Sequence, residues 1–388
     1  MSIVAEAPGY IQVFSNGSVK RFEPEITTAS IEPCNGYKSK DVVIDPLKPI
    51  SGRLYLPDVP ESVVHQQFPV LVYFHGGGFC IGSTTWLGYH IFLGDLSVTS
   101  KSIILSVDYR LAPENKLPTA YEDCYSALEW LIKNLEYEPW LKRADLSRVF
   151  LSGDSAGGNI VHQVAIRAIR SEGFRERLKG LLPIHPYFGS EKRTELEMAN
   201  GSAEDVEMND MFWRLSLPQG SNRDYFGCNF ENAELSLDEQ SQFPAVIVFV
   251  AGLDFLKERG VTYAKFLKER GLKRVELVEA EGQVHVNHVF HPESEATRLL
   301  QKQMSSSFKS IQYRIDELNE KTVTYKYTLI EGEALIDKLE EITYELKTSH
   351  FKNIAIATDV GHSNVTLITK AVHFSFDLEK KREGTKQW

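Results

Sequence analysis

The sequence predicts an α/β protein: a mostly parallel central sheet with helices on both faces, a cap, and a β-rich C-terminal appendage. Three observations predict it. Short apolar runs alternate with helical patterns from about residue 50 to about residue 309. Two stretches, residues 1–45 and 186–243, interrupt that rhythm. After about Phe308 the apolar period drops to two. Strands that alternate with helices imply a parallel sheet covered on both faces, because each crossover helix lies across one of them.

The elements follow in order. Val70-Leu71-Val72-Tyr73-Phe74 and Ile103-Ile104-Leu105-Ser106-Val107 read as buried strands. Between Leu117 and Leu135, Cys124, Ala127, Leu128 and Leu131 recur at helical spacing. Val149-Phe150-Leu151 is a third strand, and Val161, Val164, Ala165 and Ala168 mark the helix after it. Gly180–Ile184 is a weaker strand, Val246–Val250 a strong one, and Val275–Val278 the last. Residues 186–243 are polar, carry Met208, Met211, Phe212 and Trp213, and sit between two strands. Long insertions at the carboxyl edge of such a sheet shape a pocket. Residues 1–45 and 186–243 are therefore expected to cap a domain of residues 1–309. Beyond it, Val323, Tyr325, Tyr327 and Leu329 alternate with polar residues, as do Ile342, Tyr344 and Leu346, and Val372, Phe374 and Phe376. Residues 310–388 are expected to form an antiparallel β tail.

Composition narrows the function classes. The 388 residues are 42% hydrophobic and 25% charged, as in ordinary globular proteins. The net charge of −10 disfavours nucleic acid and anionic membrane, which need a basic surface. No apolar run approaches the roughly 20 residues that span a bilayer. The N-terminus, Met1-Ser2-Ile3-Val4-Ala5-Glu6-Ala7-Pro8, has neither the basic start nor the apolar core of a secretory leader. Cys34, Cys80, Cys124 and Cys228 show no metal-ligand or redox spacing, so four free thiols are expected. Together these make a cytoplasmic location the expectation.

The chemistry is concentrated in four places. Gly153-Asp154-Ser155-Ala156-Gly157-Gly158-Asn159 follows the strand Val149–Leu151 and precedes a helical pattern. That is the context of a nucleophile elbow, where small residues two before and two after the serine permit a tight turn. The helix that starts there offers free N–H groups. His75-Gly76-Gly77-Gly78-Phe79 follows another strand, and its glycines let the backbone approach a reacting carbonyl. The loop lacks the lysine-serine/threonine ending of a phosphate loop. The N–H groups of Gly77 and Gly78, joined by that of Ala156, fit an oxyanion hole. Asp254 ends the run Ala251-Gly252-Leu253-Asp254 after the strand Val246–Val250, where a triad acid belongs. The base has three candidates, His285, His288 and His291. His285 lies nearest the end of the last strand, and position favours it. In this arrangement His285 takes the Ser155 proton, Asp254 orients the imidazole, and an acyl-enzyme forms and is hydrolysed.

The set His75–Phe79, Asp108-Tyr109-Arg110-Leu111-Ala112-Pro113-Glu114, Gly153–Asn159, Gly252–Asp254 and His285 resembles the plant carboxylesterases, in the hormone-sensitive-lipase branch of the α/β hydrolases. The resemblance covers roughly residues 8–309. It implies an α/β-hydrolase sheet of about eight strands, a cap built partly from the N-terminal segment, and hydrolysis of short-chain carboxylic esters without a cofactor. It also implies that Asp108–Glu114 braces the loop below the site. Val284 and Asn287 depart from the family's usual neighbours of the histidine. The same family includes gibberellin receptors, which lack the triad histidine that this chain has at His285. It includes dehydratases and cyclases too, so a lyase is the alternative enzyme and a hormone receptor the alternative binding protein. The expected partner is a small-molecule ester, with no nucleic acid, no membrane, no metal and a monomeric chain. The tail segments Tyr325–Gly332 and Asp337–Glu345 resemble middle strands of the birch-pollen-allergen and major-latex-protein family. The tail has about half that domain's length, so an incomplete appendage is expected rather than a second binding module.

Overall fold

A computed structural model describes residues 2–59, 67–199, 203–272, 274–309 and 311, and in the tail 355–358, 364–368 and 373–377. The chain divides into two compact units, Met1–Gln312 and Tyr313–Trp388.

The first unit opens with three short antiparallel strands, β1 (Ile3–Ala7), β2 (Ile11–Phe14) and β3 (Val19–Arg21). The main sheet follows with β4 (Tyr37–Asp45), β5 (Ile50–Pro57), β6 (Phe68–Phe74) and β7 (Ile103–Asp108). It continues with β8 (Ala144–Asp154), β9 (Leu178–Ile184), β10 (Ala245–Ala251) and β11 (Val275–Ala280). The order across the eight strands is β11-β10-β9-β8-β6-β7-β5-β4. Neighbours from β7 through β11 pair in parallel, while β4 and β5 run antiparallel. Val70 to Phe74 in β6 are fully buried, which is why this strand reads as an unbroken apolar run rather than an alternation.

Helices cover both faces: α1 (Leu87–Ser100), α2 (Thr119–Lys133) and α3 (Ala156–Ile169). α2 buries Cys124, Ala127, Leu128 and Leu131, with Glu122 in its first turn and Lys133 in its last, charges that complement the helix dipole. After β9 come α4 (Glu195–Met198), α5 (Ala203–Ser216) and α6 (Leu237–Gln242). Then follow α7 (Lys257–Glu269), α8 (Asn287–Phe290) and α9 over 295–309. Among the described residues no helix is long and apolar enough to cross a membrane. All four cysteines are free.

One boundary differs from expectation. Residues 37–45, assigned from the sequence to the cap, form the edge strand β4 of the main sheet. Tyr37 and Ser39 are buried while Lys38 and Lys40 between and beyond them stay partly exposed. That alternation marks a strand with one solvated face, and the lysines suit an open edge.

In the second unit the described residues form β12 (Ala355–Thr358), β13 (Asn364–Ile368) and β14 (His373–Asp377), antiparallel in that order. β14 overlaps the alternation read at Val372, Phe374 and Phe376. The alternations at 323–329 and 342–346, and the segments that resemble the birch-pollen-allergen family, lie outside the described residues.

Candidate active site

The centre of the sheet builds a strained turn. β8 ends at Asp154, α3 begins at Ala156, and Ser155 between them has φ 51° and ψ −117°. A side chain at positive φ costs about 1–3 kcal/mol and persists only where its surroundings hold it. Here the Ser155 amide donates to the Ile184 carbonyl at 2.9 Å, and the Ser155 carbonyl accepts from Tyr187 N–H at 2.9 Å. The flanking glycines are steric requirements. A Cβ at Gly153 would lie 2.5 Å from the Phe74 carbonyl oxygen, and one at Gly157 only 1.9 Å from it.

Two loops bring partners to this serine. Asp254 follows β10, and its Oδ1 accepts the Leu256 N–H at 2.8 Å. His285 lies between β11 and α8, with Nδ1 2.6 Å from Asp254 Oδ2 and Nε2 2.9 Å from Ser155 Oγ. The Leu253 amide donates to the Gln283 carbonyl at 2.9 Å, which ties the two loops together. Burial works to lower the His285 pKa, but the charge and hydrogen bond of Asp254, with Asp154 and Asp205 adding, raise it above its ordinary value. Burial would raise the Asp254 pKa, yet the facing His285 charge and hydrogen bond hold it below the usual range. Of the other two histidine candidates, His288 is buried, with Nε2 3.3 Å from the Tyr73 hydroxyl and its ring 4.6 Å from that of Phe92. His291 is exposed.

The glycine loop sits beside the elbow. Gly77 and Gly78 have φ 103° and 57°, conformations that a side chain would strain. Neither amide has a protein acceptor among the described residues, whereas the Gly76 N–H donates to the Tyr89 hydroxyl at 2.8 Å. Ala156 opens α3, so its amide is one of the free donors at a helix start. Gly77, Gly78, Ser155 and His285 line one cavity of about 300 Å³, together with Tyr10 and Phe212. Helix α5 closes over it: the Ser216 hydroxyl donates to the Gly78 carbonyl at 3.0 Å, and Tyr187 stacks on Trp213 at 4.4 Å. Below the loop, the Tyr109 hydroxyl donates to the His75 carbonyl at 2.8 Å, and Arg110 grips Asp123 with two bonds of 2.8 and 2.7 Å.

Some supporting residues went unread in the sequence. Asp154 accepts the Tyr73 hydroxyl at 2.8 Å and the Tyr89 hydroxyl at 2.9 Å, so Tyr89 links the elbow to Gly76 of the glycine loop. Burial pushes the Asp154 carboxyl up to about 6, against the pull of these two hydroxyls. His185, just after β9, accepts the Val286 amide on Nδ1 at 3.0 Å and so braces the loop that carries His285. The only sequence signal for His185 was its place at the carboxyl end of a strand. Donor atoms of His185, Asp254 and His285 lie within 4.8 Å of one another, a spacing that could hold a metal ion. Both ring nitrogens of His285 are already engaged by Asp254 and Ser155.

Residues 71–289 match the family described as alpha/beta hydrolase fold. The chain belongs to the α/β-hydrolase family. This α/β hydrolase is 40% identical to probable carboxylesterase 6 of Arabidopsis thaliana over 261 residues, covering 66% of this chain and 77% of that one. It is 38% identical to the chloroplastic tuliposide A-converting enzyme 2 of Tulipa gesneriana over 294 residues, covering 74% and 73%. Among solved structures, the hyperthermophilic esterase of Pyrobaculum calidifontis superposes with a TM-score of 0.60 at 31% identity, covering 72% of this chain and 85% of that chain. The relatives also correct one expectation. The tulip enzymes are chloroplastic or amyloplastic, which conflicts with a purely cytoplasmic location for this hydrolase. Plastid addresses are amphipathic, rich in Arg and Ser and poor in acidic residues, a composition different from the basic start and apolar core of a secretory leader.

Proposed function

We propose that Ser155, His285 and Asp254 are the catalytic triad of a serine carboxylesterase, with the amides of Gly77, Gly78 and Ala156 as its oxyanion hole. The observation that carries this reading is the unbroken chain from Asp254 Oδ2 through His285 to Ser155 Oγ, at 2.6 and 2.9 Å. The esterase relatives support it, and the chain is a carboxylic ester hydrolase. The catalytic domain is residues 1–309. Tyr10 and α5 line the cavity, which supports a cap drawn from both the N-terminal segment and the insertion after β9.

The steps follow from these positions. Ser155 Oγ attacks the ester carbonyl while its proton passes to His285 Nε2. Asp254 holds the ring tautomer and stabilises the imidazolium. The loop amides meet the oxyanion of the tetrahedral intermediate, and each such donor is worth about 3–4 kcal/mol in a dry site. The imidazolium returns the proton to the leaving alcohol, leaving an acyl-Ser155. Water, deprotonated by His285, then releases the acid.

Turnover of p-nitrophenyl acyl esters, with free acid and alcohol as products, is the expected result. Some tulip relatives are named for converting tuliposide A, so product analysis matters: a product formed by elimination, without free acid and alcohol, would replace this reading with a lyase. A second expectation concerns pH. His285 accepts a proton only when neutral, so kcat/KM falls as pH drops through its raised pKa. The acid limb should therefore lie above the ordinary histidine value of about 6.5. Asp205→Asn removes a negative charge that favours the imidazolium, and should move the limb to lower pH. A kcat/KM profile on p-nitrophenyl butyrate measures both, and a limb moved upward contradicts the assignment.

A further inference from the structure

We infer that Asn209 and Asp205, on cap helix α5, select esters that carry a hydroxyl group on the portion held beneath that helix. The inference rests on the ester-hydrolase reading and adds a substrate class to it.

The starting observation is an orphan. Asn209 is 5% exposed, and its buried Oδ1 has no hydrogen-bond partner. Buried side-chain amides are normally paired, because an unmade bond forfeits the hydration that the group gave up. The residue is nonetheless held firmly, since its main-chain carbonyl accepts the Tyr187 hydroxyl at 3.0 Å. It lines the same cavity as Ser155 and His285. A fixed carboxamide with an unmade bond, in the wall of a substrate cavity, is a group waiting for a ligand.

Its surroundings narrow the ligand. Ile81, Trp86, Phe212 and Phe255 make much of the remaining wall apolar. Asp205 lies four residues earlier on α5, hence on the same helix face, and also lines the cavity. A carboxamide offers both donors and an acceptor, and an ionised carboxylate only accepts. A substrate hydroxyl donates its proton to the orphaned Asn209 Oδ1, with the Asp205 carboxylate as a second acceptor on the same wall. An alkyl group leaves the carboxamide unpaired. A carboxylate on the substrate meets the like charge of Asp205, and an ammonium puts a full charge against apolar walls.

Two matched pairs test this and separate the two ends of the ester. For the acyl side, p-nitrophenyl butyrate is compared with p-nitrophenyl 3-hydroxybutyrate. For the alcohol side, ethyl butyrate is compared with 2-hydroxyethyl butyrate. The hydroxylated member of at least one pair should be favoured about tenfold in kcat/KM, the ratio expected when one hydrogen bond is made rather than lost. Asn209→Leu should bring that ratio to about one. Asp205→Ala, at an exposed position that tolerates substitution, should lower it about threefold. Turnover with no preference in either pair overturns the inference alone, as does a preference that neither substitution moves. Turnover of none of the four esters overturns the ester reading and this inference with it.

Discussion

Replacing Ser155 with alanine is expected to lower kcat on a p-nitrophenyl acyl ester by about 10⁴- to 10⁶-fold. In the proposed mechanism the hydroxyl is the nucleophile, and nothing else on the elbow can form the acyl intermediate. Ala156 and Gly157 follow it, and Asp154 is turned away into bonds with Tyr73 and Tyr89. The residual rate would come from the cavity and the loop amides, which can still bind an ester and polarise it for attack by water. His285→Ala should cost a similar factor, and the double variant little more, because the two groups act as one unit. His288→Ala is the informative control. Its ring packs on Phe92 and meets Tyr73 rather than Ser155, so its loss should show first in thermal stability. Steady-state kinetics and labelling by an organophosphate read all of these variants. An organophosphate adduct elsewhere on the wild-type chain, with Ser155 unlabelled, contradicts the assignment.

Gly157→Ala should destabilise the protein by about 3 kcal/mol or more, and lower Tm by roughly 6–12 °C. The added methyl would sit 1.9 Å from the Phe74 carbonyl oxygen and 2.6 Å from its carbon. Both atoms belong to the backbone of β6, in the middle of the sheet, where β7 and β8 pair on either side. No side chain can swing aside to relieve the contact. Relief requires α3 to move off the sheet, which also moves Ser155 at its start. Activity should therefore fall together with stability. Gly173→Ala serves as the comparison: the nearest atom to its added methyl is 3.6 Å away, an ordinary contact. That substitution should lie within about 0.5 kcal/mol of wild type. Thermal melts followed by circular dichroism distinguish the two, and equal Tm values would refute the steric account of the elbow.

Much of the architecture was legible because the strands that matter are buried on both faces. The runs Val70–Phe74, Ile103–Val107, Val149–Leu151, Val246–Val250 and Val275–Val278 all fall inside strands of the sheet. The edge was not legible. β4 and β5 mix charged residues with apolar ones, and β4 pairs on one side only, so neither makes an unbroken apolar run. Tyr37–Asp45 was therefore read as cap. Nor does a sequence state the order of strands, which depends on which crossover packs against which face.

The same division holds at the site. By itself the sequence determined a strand, a tight turn with Ser155 at its apex, and a helix, because the glycines at 153 and 157 frame the serine within a few residues, although the Phe74 carbonyl that makes them necessary comes from β6. It determined a glycine loop after β6 as well, and an acid and three histidines after late strands. Only the tertiary structure decided which histidine meets the serine across 130 residues of chain. That choice depends on β10 and β11 lying side by side, on the Leu253–Gln283 bond between their loops, and on His185 holding Val286. It depends equally on His288 being drawn inward by Phe92 and Tyr73. Turns are written in neighbouring residues, whereas a contact between distant loops is a sum over the packing of the whole sheet.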